Sequence, residues 1–214
     1  IRKEMHPLEE DQVAVFLRKV QGHPHEYLYK IALFTGLREG EVLGLGWEHI
    51  DFQAGTLTVK RQLRREQKKG GEYYFSPPKN NKSRCLTLAP SVIQLFRLQK
   101  LEQNSMQTEA GDAWEEHGLI FTNQTGGYLS YRTVYDCFKR IVRNIGAPAT
   151  RFHDLRHTFA VASIKSDDDI KTVQENLGHA TAAFTLDVYG HFTDDMRSVS
   201  AQRMEGFITN VLNL

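Results

Sequence analysis

The sequence predicts a mainly helical α+β fold with one small antiparallel β-sheet, and three observations carry that expectation. Apolar residues recur at helical spacing through most of the chain. Alternation at strand spacing is confined to residues 56–88. The turn-forming pairs Gly70-Gly71 and Pro77-Pro78 fall inside that same stretch. A chain of 214 residues that is 40% hydrophobic can bury one sizeable core, so one domain spanning 1–214 is the simplest expectation.

The elements follow in order. Residues 8–20 place Val13, Phe16, Leu17 and Val20 on one helical stripe. After Gly22-His23-Pro24, residues 27–34 continue a helical pattern, which Thr35-Gly36 breaks. Residues 39–45 read as a short helix. Residues 56–63 alternate as one strand, with 73–75 and 84–88 as further strands of the same sheet. Pro90 suits a first helical position, and 91–101 carries Val92, Leu95, Phe96 and Leu98. The polar stretch 102–116 reads as a loop, and 119–122 as a short apolar piece. Ser130 is a candidate N-cap for a helix to about residue 142. Helices are expected over 153–165, 169–176, 181–189 and 194–212.

Composition excludes several classes. No window approaches the length of apolar run a spanning helix needs, and residues 1–10 carry no apolar signal-peptide region. Cys85 and Cys137 form no CxxC pair, which suits two reduced thiols in a cytoplasmic protein. Position 1 is not Met, which suits a fragment, and Met5 is a weak internal start. The net charge of +1 points to no partner, but its distribution does. Residues 60–84 hold nine basic side chains, Lys60, Arg61, Arg64, Arg65, Lys68, Lys69, Lys79, Lys82 and Arg84, against Glu66 and Glu72. That segment is +7 and the remainder −6. Such a patch is the footprint of a phosphate-contacting surface, although charge alone equally fits a solvated basic hairpin.

Reactive side chains are densest over 151–191, which contains RFHDLRHTFA, NLGH and TLDVYGH. On a helix His153 and Arg156 share a face, pairing a proton-exchanging imidazole with a permanent planar cation. That pair suits a phosphate oxyanion, where charge builds as a phosphodiester breaks. Cleavage also needs a nucleophile and an acid for the leaving oxygen. His179 follows Gly178, and Tyr189 comes 10 residues later. Each piece has a plainer reading. An isolated HxxR arises often by chance, and a lone helical tyrosine is usually core. His153 and His157 could chelate a metal, but HDLRH lacks the glutamate of HExxH and no third ligand lies nearby.

The ordered set of motifs resembles the tyrosine recombinase (phage integrase) family. TGLREGEVLGLGWEHID (35–51) resembles that family's first catalytic-arginine segment, and PPKNNKSRCLTL (77–88) its lysine hairpin. HDLRHTFA (153–160) resembles its His-x-x-Arg box, and ENLGHATAAFTLDVYGHF (175–192) its final, tyrosine-bearing segment. The likeness runs from about residue 6 to 196 with no departure at a catalytic position. It implies the DNA breaking-rejoining catalytic fold and a site-specific DNA recombinase or integrase. In that role Arg38 and Arg156 clamp the scissile phosphate, while His153 and His179 donate to it or manage protons. Lys79 is the general acid, with Lys82 its competitor. Tyr189 attacks, giving a 3′-phosphotyrosyl link and a free 5′ hydroxyl. Glu41 either orients Arg38 or is an exposed helix acid. Two arginines offset the phosphate charge and the covalent link conserves bond energy, so no metal, ATP or other cofactor is implied; no GxxxxGK[ST] loop occurs.

The expected partners are double-stranded DNA and further copies of the chain, as a tetramer on DNA, with no membrane. Arg61, Arg64, Lys82, Arg84 and Arg132 are the candidate DNA-contacting residues outside the catalytic set, mostly to phosphates. The tail, about 194–214, either packs on its own domain or docks on a neighbouring copy. Family members usually carry an N-terminal DNA-gripping domain, for which no room exists before residue 8. The rival functions are a type IB topoisomerase-like enzyme and a non-catalytic DNA-binding regulator, with a metal-dependent nuclease a distant fourth. The resemblance points to a bacterial or phage-encoded protein of a mobile element, acting in the cytoplasm.

Overall fold

A computed structural model describes residues 4–68, 70–79, 81–189 and 196–212. Lys69 of the basic stretch, residues 190–192 of the last motif and residues 194–195 of the expected final helix lie outside the described residues.

Three helices open the chain: α1 (Glu10–Val20), α2 (Glu26–Thr35) and α3 (Glu39–Leu43). In α1, Glu10 and Asp11 occupy the first turn and Arg18 and Lys19 the last, matching the helix dipole, while Phe16 and Val20 are buried. Gly36 ends α2 in the left-handed conformation, φ +62°. Strands follow as β1 (Ile50–Asp51), β2 (Thr56–Val59), β3 (Gln62–Arg65), β4 (Tyr73–Ser76) and β5 (Arg84–Thr87). The rest is helical: α4 (Pro90–Ala110), α5 (Tyr131–Asn144), α6 (Asp154–Lys165), α7 (Ile170–Leu177), α8 (Ala182–Tyr189) and α9 (Met196–Leu212). The mainly helical α+β expectation therefore holds. Among the described residues no helix is long and apolar enough to cross a membrane.

The single sheet expected from residues 56–88 is instead two. One has the order β1-β2-β5 and the other pairs β3 with β4, all antiparallel. The alternation of residues 56–63 does not mark one strand; it breaks at Lys60-Arg61. Beyond the break, β3 runs against α3 rather than along β5. Gly40 and Gly44 permit this approach: a Cβ on Gly44 would lie 2.7 Å from the Leu63 nitrogen, and one on Gly40 3.0 Å from the Leu63 carbonyl oxygen. Arg61 Nε donates to the Gly44 carbonyl at 2.9 Å and secures the turn.

A second correction concerns the expected loop 102–116, because α4 continues to Ala110. Its buried face here is polar. Gln99 and Gln103 turn inward, and their amides donate to the Ile120 and Leu119 carbonyls at 3.1 and 2.8 Å. Gln103 also accepts from Trp47 Nε1 at 2.7 Å. Apolar periodicity cannot register a face built from glutamines. Ser130 precedes α5 as expected, but its side chain makes no cap hydrogen bond.

The main core interlocks Phe16, Tyr29, Phe138 and Phe152, with ring centroids 5.5–6.4 Å apart. A second cluster joins α6, α7 and the end of α8 through Ala160, Val161, Ile164, Val173, Leu177 and Tyr189. The candidate site lies where these two cores meet.

Candidate nucleic-acid cleavage site

Arg38 stands at the N-terminus of α3, one residue after Leu37 and two after the left-handed Gly36. Its Nη1 donates to Glu41 Oε1 at 2.8 Å, and its backbone nitrogen to Glu41 Oε2 at 2.9 Å. Glu41 has no exposure and is shared: Arg84 Nη1 and Nη2 reach its two oxygens at 2.9 and 2.7 Å. Burial alone would raise the Glu41 pKa, but the hydrogen bonds and charge of Arg84, then of Arg38, outweigh it and hold the carboxyl at about 2. Glu41 is thus a buried anion that fixes two arginines, not an exposed helix acid.

Arg156, on the first turn of α6, is almost completely buried. Its Nη1 donates to the Gly36 carbonyl at 2.8 Å and its Nη2 to the Leu177 carbonyl at 2.5 Å. Burial first, then the Arg38 charge, lowers its pKa to about 9. That remains above neutral pH, so the guanidinium keeps its charge. Both accepting carbonyls sit immediately before or within a left-handed glycine turn, at Gly36 and before Gly178. A Cβ on Gly36 would come within 2.5 Å of the Phe159 ring, so this turn requires glycine twice over.

His179 follows Gly178, and its Nδ1 lies 2.9 Å from Thr185 Oγ1. Burial, then Arg156 and Arg38, push its pKa down to about 3, which leaves a neutral ring among cations. His153 precedes α6 and is exposed. The protein around its ring, then His157, Arg156 and Arg38, lower its pKa. Tyr189 closes α8 with 1% exposure, and its ring stacks on His179 at 6.4 Å between centroids and 11° between planes. Burial raises its pKa to about 12, against the opposing pull of Arg156.

Five of the six residues named from sequence therefore converge: Arg38, His153, Arg156, His179 and Tyr189. Lys79 stands apart, exposed on the loop between β4 and β5, where it makes no hydrogen bond or ion pair among the described residues. The basic candidates divide. Arg64, Lys82 and Arg132 are exposed, Arg132 beside Asp136 at 3.3 Å. Arg61 is tied inward to Gly44 and to Glu48 at 3.1 Å, with its guanidinium 4.1 Å from the centre of the Phe75 ring. Arg84 turns fully inward, to Glu41 and, through Nε, to the Asn176 carbonyl at 2.8 Å.

Sequence reasoning weighed His157 only as a metal ligand. Its Nδ1 lies 2.6 Å from the Tyr189 hydroxyl. The available signal was its place next to Arg156, which turns it to a neighbouring face of α6.

Guanidiniums and neutral imidazoles thus gather beside a phenol, on a helical scaffold with a small-sheet flank. The chain belongs to the phage integrase family, whose family model matches residues 6–196. It is 29% identical over 201 residues to a tyrosine recombinase XerC-like protein of Caldanaerobacter subterraneus subsp. tengcongensis, covering 89% of this chain and 51% of that protein. It is 26% identical over 185 residues to the ICEBs1 integrase of Bacillus subtilis, covering 84% and 48% respectively. The chain thus spans about half the length of these relatives. Among solved structures it resembles the Tn1549 transposon integrase in complex with transposon right end DNA, with a TM-score of 0.77 and 25% identity, over 93% of this chain and 66% of that one.

Proposed function

We propose that residues 1–214 form the catalytic domain of a site-specific DNA recombinase that cleaves and rejoins strands through Tyr189. The observation that carries this reading is the stacking of His179 on the Tyr189 ring with the Arg156 and Arg38 charges acting on both, while His153 lies beside the same two arginines. Arg38 and Arg156 offset charge on the non-bridging oxygens of the scissile phosphate, and the two histidines hydrogen-bond to it or carry protons. Tyr189 Oη forms a bond to phosphorus as the bond to the 5′ oxygen breaks, and Lys79 protonates that leaving oxygen. Lys79 lies on a loop in the free chain, so DNA must draw it to the site. The 3′-phosphotyrosyl link keeps the phosphodiester's energy, and a 5′ hydroxyl from a partner strand reverses the step without metal or ATP.

Double-stranded DNA is the proposed substrate, held by phosphate contacts from Arg64, Lys82 and Arg132, with Arg84 bracing the site from within through Glu41. The proposed active assembly is a homotetramer on DNA. In the whole protein a further DNA-gripping domain completes the hold. The test is covalent capture on a nicked suicide duplex carrying a site selected by binding, in excess EDTA, resolved on a denaturing gel. A protein–DNA band lost in Tyr189→Phe supports the reading. No band on a duplex that binds, or a band surviving that substitution, overturns it.

A further inference from the structure

The proposed reaction gives no part to His157, a largely enclosed imidazole that touches the proposed nucleophile. His157 Nδ1 is 2.6 Å from the Tyr189 hydroxyl, with ring centroids 5.7 Å apart. Its other nitrogen, Nε2, faces Asp154 Oδ1 at 3.9 Å. Asp154 is fully buried and held by Arg151, through the backbone nitrogen at 2.8 Å, Nε at 2.9 Å and Nη2 at 2.8 Å. A fixed carboxylate on the Nε2 side favours the tautomer with its proton on Nε2. Nδ1 then offers a lone pair, and the phenol donates to it. Burial also keeps this imidazole neutral, with a pKa of about 4.

The phenol itself is turned into the protein. Tyr189 packs within the cluster of Val161, Ile164, Val173 and Leu177, at 1% exposure. A hydroxyl in that position cannot meet a phosphate without moving outward. We propose that His157 is the positioning residue of Tyr189: it accepts the phenol's hydrogen bond and holds the side chain inward in the DNA-free chain, so that engaging a phosphate requires this bond to be given up. The consequence for function rests on Tyr189 being the nucleophile, whereas the hydrogen bond and its effect on exposure do not.

The probe is tetranitromethane on the full, DNA-free chain, with nitration of each tyrosine followed by peptide mass spectrometry. Tyr74 and Tyr135, both exposed, are internal standards. In the unsubstituted protein Tyr189 should react far more slowly than either. His157→Phe keeps a ring in the space but removes the acceptor, and should raise Tyr189 nitration roughly tenfold or more, since a buried hydroxyl left unpaired favours the outward posture. His157→Asn sets a carbonyl oxygen near the place of Nδ1 and should restore protection. Thermal melts establish that each variant is folded. Independently of any variant, 15N NMR of the unsubstituted protein should show His157 Nδ1 unprotonated and Nε2 protonated. Protection unchanged in His157→Phe, His157→Asn as reactive as His157→Phe, or a proton on Nδ1 would each overturn the proposal. Covalent capture that survives Tyr189→Phe, with nitration behaving as expected, would sink the nucleophile assignment and leave the hydrogen bond standing.

Discussion

Glu41 sits between two guanidiniums with no contact to water, so its charge is a structural requirement for both. Glu41→Gln would leave Arg38 and Arg84 facing a neutral group, and breaking a buried pair in this way costs about 3–5 kcal/mol. Urea denaturation should read that loss. The carboxyl's folded pKa is depressed to about 2 from its ordinary 4.5. Its stabilisation is therefore complete above about pH 4.5 and lost as pH falls toward 2. His157 acts in a higher window. Its folded pKa is lowered to about 4 from 6.5, so the unfolded chain binds the extra proton first. Stability should fall as pH drops from about 6.5 to 4, and melting temperatures across that range should fall less steeply in His157→Asn. Arg156 is a different case, because both carbonyl bonds use its planar fork. Arg156→Lys keeps the charge but cannot span Gly36 and Leu177, and single-turnover cleavage should drop by about 10²–10³-fold.

Turns and hairpins position these side chains. The Gly36 turn joins α2 to α3, supplies a carbonyl to Arg156 and leaves room for Phe159. Gly36→Ala would force a Cβ into that ring from a left-handed backbone. It should cost roughly 1–3 kcal/mol in denaturation and depress cleavage with it. The basic stretch is organised by its folding into two sheets. Across the two sheets Arg61 and Arg84 are tied inward, whereas Arg64 and Lys82 stay exposed. Arg64→Ala combined with Lys82→Ala should weaken binding of any duplex and reduce the slope of log K against log salt by about 1 per lost contact. The same change at Arg84 should lower the melting temperature more than it lowers affinity, because that side chain is only 9% exposed.

At the scale of the full chain, two cores share one site, and α9 lies beyond both. Its Phe207 and Val211 are 62% and 60% exposed, so its apolar face is not used within the described protein. Among the described residues, an ion pair of Arg203 with Asp167 ties it back to the turn after α6. Removing α9 should leave the melting temperature of the remainder within a few degrees. If the proposed tetramer forms on DNA through this face, the truncation should also lower the assembly size seen by light scattering.

Much of this was legible in the residues themselves. The positions of α1, α2, α3, α6, α7 and α8 follow from apolar spacing and from glycines that stop helices, both local properties. Arg38, His153, Arg156, His179 and Tyr189 were recognisable because four motifs recur in a fixed order. Their meeting at one point was not visible, since residues 38 and 189 come together only through packing. The length of α4 escaped because glutamines, not apolar residues, face inward there. The split of 56–63 escaped because alternation is the same whether a strand keeps its partner or changes it. Charge counting treated Arg61, Arg64, Lys82 and Arg84 alike, yet burial and the carboxylates opposite them divide the four. The same holds for His157 and Tyr189. Residue type and spacing mark which side chains can do chemistry, because those are local properties. Which proton faces which lone pair, and which hydroxyl is shut away from water, depend on contacts between distant segments that no local pattern encodes.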